Sequence, residues 1–275
     1  MNTRISARGA LALVAGAAAV WLAGRAPARA DAAGTIIAKD NKQYPGNIRW
    51  QGGMRAYAVE ATRGTTLTVP LDRVRSIDVP APPALATAIR NVQEGRYQTA
   101  IPALKDLISQ YEMLGPDVTA AGWLMHAYRK TDEAKKAVEL FEKMMRDNVW
   151  APMSGDFVQQ GAEAMLTSGQ YDKLDVVLKD IIKRGSRVSA AWAQIKRGDI
   201  LMKKGNFREA LEGGFLRTCM LYRDIRAAQP EALFKAAECF DQLGQGPYAE
   251  RMRKKVLEDF ADSEYAKLLK SGGKS

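Results

Sequence analysis

Histidine occurs once in this 275-residue chain, at position 126, and cysteine only twice, at 219 and 239. One histidine cannot build a His-based metal site, and no H-E-x-x-H or C-x-x-C spacing is present. G-x-S-x-G and dinucleotide-binding loops are also missing. Gly273-Lys274-Ser275 imitates the end of a phosphate loop, but Leu268 stands where the earlier glycine is required. His126 lies between Trp123 and Arg129 at helical spacing. General acid–base work needs a partner within hydrogen-bond reach, and the sequence offers none, so the residue reads as structural or merely exposed. No enzyme, cofactor or metal is expected. A long hydrophobic run is lacking too: the apolar stretch Ala10–Ala23 has 14 residues, short of the roughly 20 that cross a bilayer.

That stretch follows Arg4 and Arg8 and precedes Ala28-Arg29-Ala30, the pattern of a secretory signal peptide. Cleavage is expected after Ala30, with an uncleaved anchor as the alternative. The chain is then periplasmic or secreted. The formal charge is +10, and the four arginines of residues 1–30 leave +6 after cleavage. Dispersed charge of that size reads as a solvated surface, with peripheral contact to anionic envelope polymers as the alternative and nucleic acid out of reach. An exporting compartment favours disulfides, so Cys219 and Cys239, on consecutive predicted helices, are either bridged or small packing residues.

Glycine- and proline-rich turns separate five short alternating runs between Thr35 and Val79: Ile36–Ala38, Asn47–Trp50, Ala56–Val59, Thr66–Val69 and Ser76–Val79. One flat sheet of that size cannot cover its own apolar face, which predicts a curled sheet or small barrel over residues 31–80. The pattern Lys39-Asp40-Asn41, Gly46-x-Ile48-x-Trp50 and Val74-x-x-Ile77 resembles small SH3-like or Sm-like barrels. Such modules either bind macromolecules or cap a domain. Trp50 and Tyr57, alternating on strands, are expected in its core. Pro80-Ala81-Pro82-Pro83 then marks a stiff linker.

Beyond the linker one phrase recurs, plainest in Gly205-Asn206-Phe207-Arg208-Glu209-Ala210-Leu211. Its small or apolar marker falls at Ala100, Ala137, Leu174, Ala210 and Ala249, separated by 37, 37, 36 and 39 residues. A constant period of this size signals a helical solenoid. Twelve positions earlier stand Ala88, Met125, Ala162, Gly198 and Ala237, where close helix packing is expected. The phrase, with Tyr97, Tyr171 and Phe207 two positions after the turn glycine, resembles the tetratricopeptide repeat (TPR). Departures from it are Asp132 at the second turn glycine, Gly214 and Arg217 where bulk is usual, Pro102 inside a helix, and units two to five residues too long.

The fold class is therefore α+β, mostly α: a β-barrel-like module over 31–80, then a TPR-like α-solenoid of about five helix pairs over 81–270. Residues 271–275 form a disordered tail. The resemblance implies a concave groove lined by the first helix of each pair, which nominates His126, Arg129, Gln159, Glu163, Trp192, Ile195, Asp199, Phe234 and Glu238. Trp192 and Phe234 either face that groove or pack between units. The function implied is a non-enzymatic envelope scaffold holding a protein or peptide. Alternatives are a peptidoglycan- or polysaccharide-binding module, or an accessory component of a secretion or pilus apparatus.

Overall fold

The computed structural model describes residues 31–61 and 64–272; the predicted signal segment 1–30 and the last three residues of the predicted tail lie outside the described residues. Each alternating run is a strand: β1 Ala32–Ala38, β2 Gln43–Gln51, β3 Ala56–Glu60, β4 Thr66–Pro70 and β5 Val74–Asp78. They pair antiparallel in the order β4-β3-β2-β1-β5. Four strands make a meander, and the chain then returns past β4 to flank β1. Alternation places Ile36, Ile48, Trp50, Tyr57, Val59 and Val69 on one buried face. Trp50 and Tyr57 are core residues as expected, their rings 4.8 Å apart.

The expected barrel is corrected: the sheet does not close, and β4 and β5 remain its two edges. The reason lies in what covers the apolar face. Met113, Leu114 and Trp150, all from the helical part of the chain, complete its core. The Tyr57 hydroxyl donates to the Met113 carbonyl at 2.9 Å, and Trp150 Nε1 donates to the same hydroxyl at 2.9 Å. A sheet supplied with an external lid has no need to curl onto itself.

Helices follow in antiparallel pairs. These are α1 Pro83–Gln93 with α2 Tyr97–Gln110, α3 Pro116–Lys130 with α4 Ala134–Asp147, and α5 Gly155–Thr167 with α6 Tyr171–Arg184. In the fourth pair α7 Arg187–Lys203 faces a composite helix of α8 Phe207–Ala210, a π segment Leu211–Phe215 and α9 Leu216–Leu221. The fifth pair is α10 Gln229–Gln242 with α11 Gly246–Asp259, and α12 Glu264–Lys270 closes the end. Ser263 caps α12 by accepting from the Ala266 amide.

The repeated phrase is a turn as well as a packing signal. Within each pair the residue after the turn donates its amide to a carbonyl five positions back: Arg96 to Asn91, Glu133 to Tyr128, Gln170 to Met165, Asn206 to Leu201 and Gln245 to Phe240. This closing bond needs a left-handed residue. Gly95, Gly169, Gly205 and Gly244 supply it, and Asp132 adopts φ 58° in the glycine's place. The second unit therefore keeps the geometry without the glycine. All five marker residues are fully buried, as are the small or flexible residues twelve positions before them.

The apolar interior divides on α7. Ala193 and Ile200 join the core of the first three pairs, while Ala191, Trp192 and Ile195 join that of the last two. Opposite α7, Gly214 in the π segment meets Gly198 so closely that a Cβ on Gly214 would lie 2.7 Å from the Gly198 Cα. Bulk is missing from this unit because two backbones touch there. A π turn strains the regular i→i−4 ladder. Gln194 Nε2 donates to the Gly213 carbonyl, and Thr218 Oγ1 to that of Gly214 at 3.0 Å.

Candidate interaction groove on the first helices

The first helices α3, α5, α7 and α10 run side by side, and five of the nine side chains nominated for the groove fall in or beside one of two places. His126, Gln159 and the neighbour of Arg129, Gln160, line a cleft of about 300 Å³ between α3 and α5. Trp123 forms its apolar wall, the Phe157 ring being turned into the core, and Ser154 and Asp156 close it at the start of α5. Ser154 is committed to capping that helix, accepting from the Phe157 amide. Arg129 Nη1 donates to Gln160 Oε1 at 2.9 Å, which fixes the amide across the two helices.

His126 stands 6.0 Å from the Trp123 ring. Burial lowers its pKa below the usual 6.5, the Arg129 charge lowers it further, and the Gln160 hydrogen bond only partly opposes this. The imidazole is uncharged at neutral pH, with one nitrogen able to donate and one to accept. The cleft thus presents two amides, a neutral imidazole and one aromatic wall.

The second place is a buried charge network that sequence reading missed. Lys196 on α7 has a side chain only 2% exposed. Its Nζ lies 2.5 Å from Glu163 on α5, 2.9 Å from Glu231 on α10 and 3.2 Å from Asp199. Lys235 Nζ contacts Asp199 at 2.5 Å and Glu231 at 3.6 Å. Burial alone would lower the lysine's pKa, but Asp199, Glu231 and Glu163 together raise it well above 10.5. Burial likewise opposes ionisation of Glu163, yet the Lys196 charge and hydrogen bond hold its pKa below 4.5. The Tyr265 phenol, hydrogen-bonded to Glu231, is pushed far above 10 chiefly by burial. A buried cation is tolerable only with such partners.

Three nominations are corrected. Trp192, Ile195 and Phe234 are buried and take no part in an open groove. Trp192 packs in the core of the last two pairs, its ring edge so near Gly155 that a Cβ there would lie 2.9 Å from it. Phe234 packs against Tyr265 of the closing helix, the two rings tilted and their centroids 5.3 Å apart. Counting by repeat period finds the correct helix face but not how far the next unit slides over it. Asp199 is also buried, inside the network, whereas Glu238 is half-buried on α10. The missed signal was charge alternation at the repeat spacing: Glu163, Lys196 and Glu231 lie 33 and 35 residues apart.

Cys219 and Cys239 are free thiols. Cys239 is buried and Cys219 half-buried between the last helices, and burial pushes their thiols up to about 12 and about 11. Both are poor nucleophiles at neutral pH. Among the described residues no group of three or more His, Cys, Asp or Glu side chains is arranged to hold a metal, and no helix is long and apolar enough to cross a membrane.

The sequence matches no protein-family model and no curated protein. Similar solved structures include a TPR protein and a chain of TPR-like repeats. MamA of strain AMB-1 is 21% identical, over 70% of this chain and 100% of that one, with a TM-score of 0.42. A putative kinesin light chain of Podosopora anserina with nearly identical TPR-like repeats is 14% identical over 70% and 96%, TM-score 0.47. A thermophilic TPR protein of Thermus thermophilus is 20% identical over 68% and 97%, TM-score 0.49.

Proposed function

We propose that this chain is a non-enzymatic scaffold of the bacterial cell envelope that holds a segment of a protein partner in the cleft between α3 and α5. The observation that carries this reading is the cleft's chemistry. Gln159, Gln160 and a neutral His126 are displayed on two packed helices, beside the half-buried Trp123. Amides and imidazole match the alternating donors and acceptors of a peptide backbone, and the Trp123 indole suits an apolar side chain. The Lys196 network braces α5, α7 and α10, so the face is held rigid before a partner arrives. Export rests on the sequence of residues 1–30.

A photoreactive residue at Gln159 tests the groove in intact cells; Trp192 is too buried to serve. A protein adduct made at Gln159, and lost when Gln160→Ala is added, is the expected result. Adducts that are absent or indifferent to Gln160→Ala would sink the groove reading. Cosedimentation with purified sacculi that fades with salt would then favour the polysaccharide alternative. Export is checked by fractionation and by N-terminal sequencing, which should begin at Asp31; a cytoplasmic, full-length chain would exclude an envelope role.

A further inference from the structure

The open sheet carries a second surface, independent of the helical groove. In the β3–β4 ladder the Ala61 amide donates to the Thr65 carbonyl, and the Leu71 amide to that of Arg55. With Val59 opposite Leu67 and Tyr57 opposite Val69, the bonded pairs alternate so that Thr65, Leu67, Val69 and Leu71 face β3. Thr66, Thr68 and Pro70 therefore point their backbone groups outward, away from the sheet. Pro70 has no amide to offer. Thr66 and Thr68 each present an N–H and a C=O, a span fit for one short extended segment.

What lies beside that edge is a cleft of about 460 Å³, where a closed barrel would have had its wall. Leu67 shares the core-facing side of β4 with buried Val69, yet it is 42% exposed. Tyr44, which pairs with Ile36 on the same side, is only half-buried across the gap. The charged rim is unbalanced. Asp40 is satisfied by Lys42, through its ammonium at 3.1 Å and its amide at 3.1 Å. Lys39 and Arg73 then face Asp72 alone, and among the described residues neither cation forms an ion pair.

We propose that this gap is a strand-acceptor site, which takes an extended segment of a protein partner as a sixth strand on β4. The segment bonds to the outward groups of Thr66 and Thr68, covers Leu67 and Tyr44 with an apolar side chain, and sets an acidic side chain against Lys39 and Arg73. Main-chain bonds give affinity here and the acidic position gives selectivity.

The test is to pan a displayed library of random heptapeptides on the full chain and to measure the selected peptides by fluorescence polarisation. Thr68→Pro removes the outward amide but no β3–β4 bond, and Thr68→Ala keeps that amide. Selected peptides should carry an acidic residue, bind wild type and Thr68→Ala alike, and lose at least tenfold affinity for Thr68→Pro. They should also protect the Thr66 and Thr68 amides from hydrogen exchange. Where Thr68→Pro does not fold, Leu67→Glu carries the comparison, since it leaves the backbone intact and repels an acidic peptide. Three results overturn the proposal: no selected peptide, binding to Thr68→Pro (or to Leu67→Glu in its place) equal to that of wild type, or protection of these amides that rises with protein concentration alone. The last would make a second copy of the chain the occupant.

Discussion

Asp117 is the residue on which the join between sheet and helices turns. Its carboxylate accepts from the Met113 amide at 2.7 Å, the Gly115 amide at 2.9 Å and Asn148 Nδ2 at 2.7 Å. Asn148 in turn accepts from the Trp150 amide, so the bracket ends on the two segments that cover the sheet. Burial pushes the Asp117 carboxyl up from the usual 3.8 to about 6, overcoming the amides that pull it down. A raised pKa means that the folded protein binds this proton more tightly than the unfolded chain does. The associated stability is complete below pH 3.8 and gone above about 6, a swing of about 3 kcal/mol. Asp117→Asn cannot titrate, so wild type should lose about that much stability relative to the variant between pH 4 and 6.5. Urea melts of the two proteins at matched pH check it, and parallel curves would refute it. Lys196 behaves oppositely. Lys196→Met leaves Glu163, Asp199 and Glu231 with Lys235 as their remaining cation, a cost of about 3–5 kcal/mol at neutral pH. Because the Glu163 pKa is depressed, its stabilising share is present above pH 4.5 and lost as pH falls. The variant should therefore shed less stability than wild type on acidification below that value.

Among the elements, the fourth unit is the one whose period breaks, and two adjacent glycines give it a sharp test. A Cβ on Gly213 meets nothing within 4 Å, whereas one on Gly214 would strike Gly198 backbone at 2.7 Å. Gly213→Ala should be neutral or stabilise by up to about 1 kcal/mol through helix propensity. Gly214→Ala should destabilise by about 1–3 kcal/mol, because backbone on backbone cannot yield. Thermal melts that moved both variants in one direction would show that the crossing is looser than described. The five helix pairs were legible because turn and packing signals coincide in one phrase, down to Asp132 standing in for glycine. The π segment was not, since Gly214 and Arg217 announce a departure from the period without saying which hydrogen bonds replace it. The same limit misplaced Trp192, Ile195 and Phe234: a helical period assigns a face, and burial depends on the neighbouring unit.

For the whole molecule, the decisive relation joins residues far apart in the chain. The five strands were readable from alternation, but their openness was not, because Met113, Leu114 and Trp150 carry no mark of serving a distant sheet. A fragment of residues 31–80 should therefore show no cooperative melt by circular dichroism, since it lacks its lid. A fragment that melted cooperatively would mean the strands close by themselves. That arrangement also imposes an order in time. Trp150 trails the last strand residue, Asp78, by 72 residues, and at roughly 5–20 residues per second synthesis takes about 4–14 s to deliver it. For that interval the nascent strands have their apolar face bare and both margins unpaired. Any holdase that attends this polypeptide should release it only once the tryptophan has arrived.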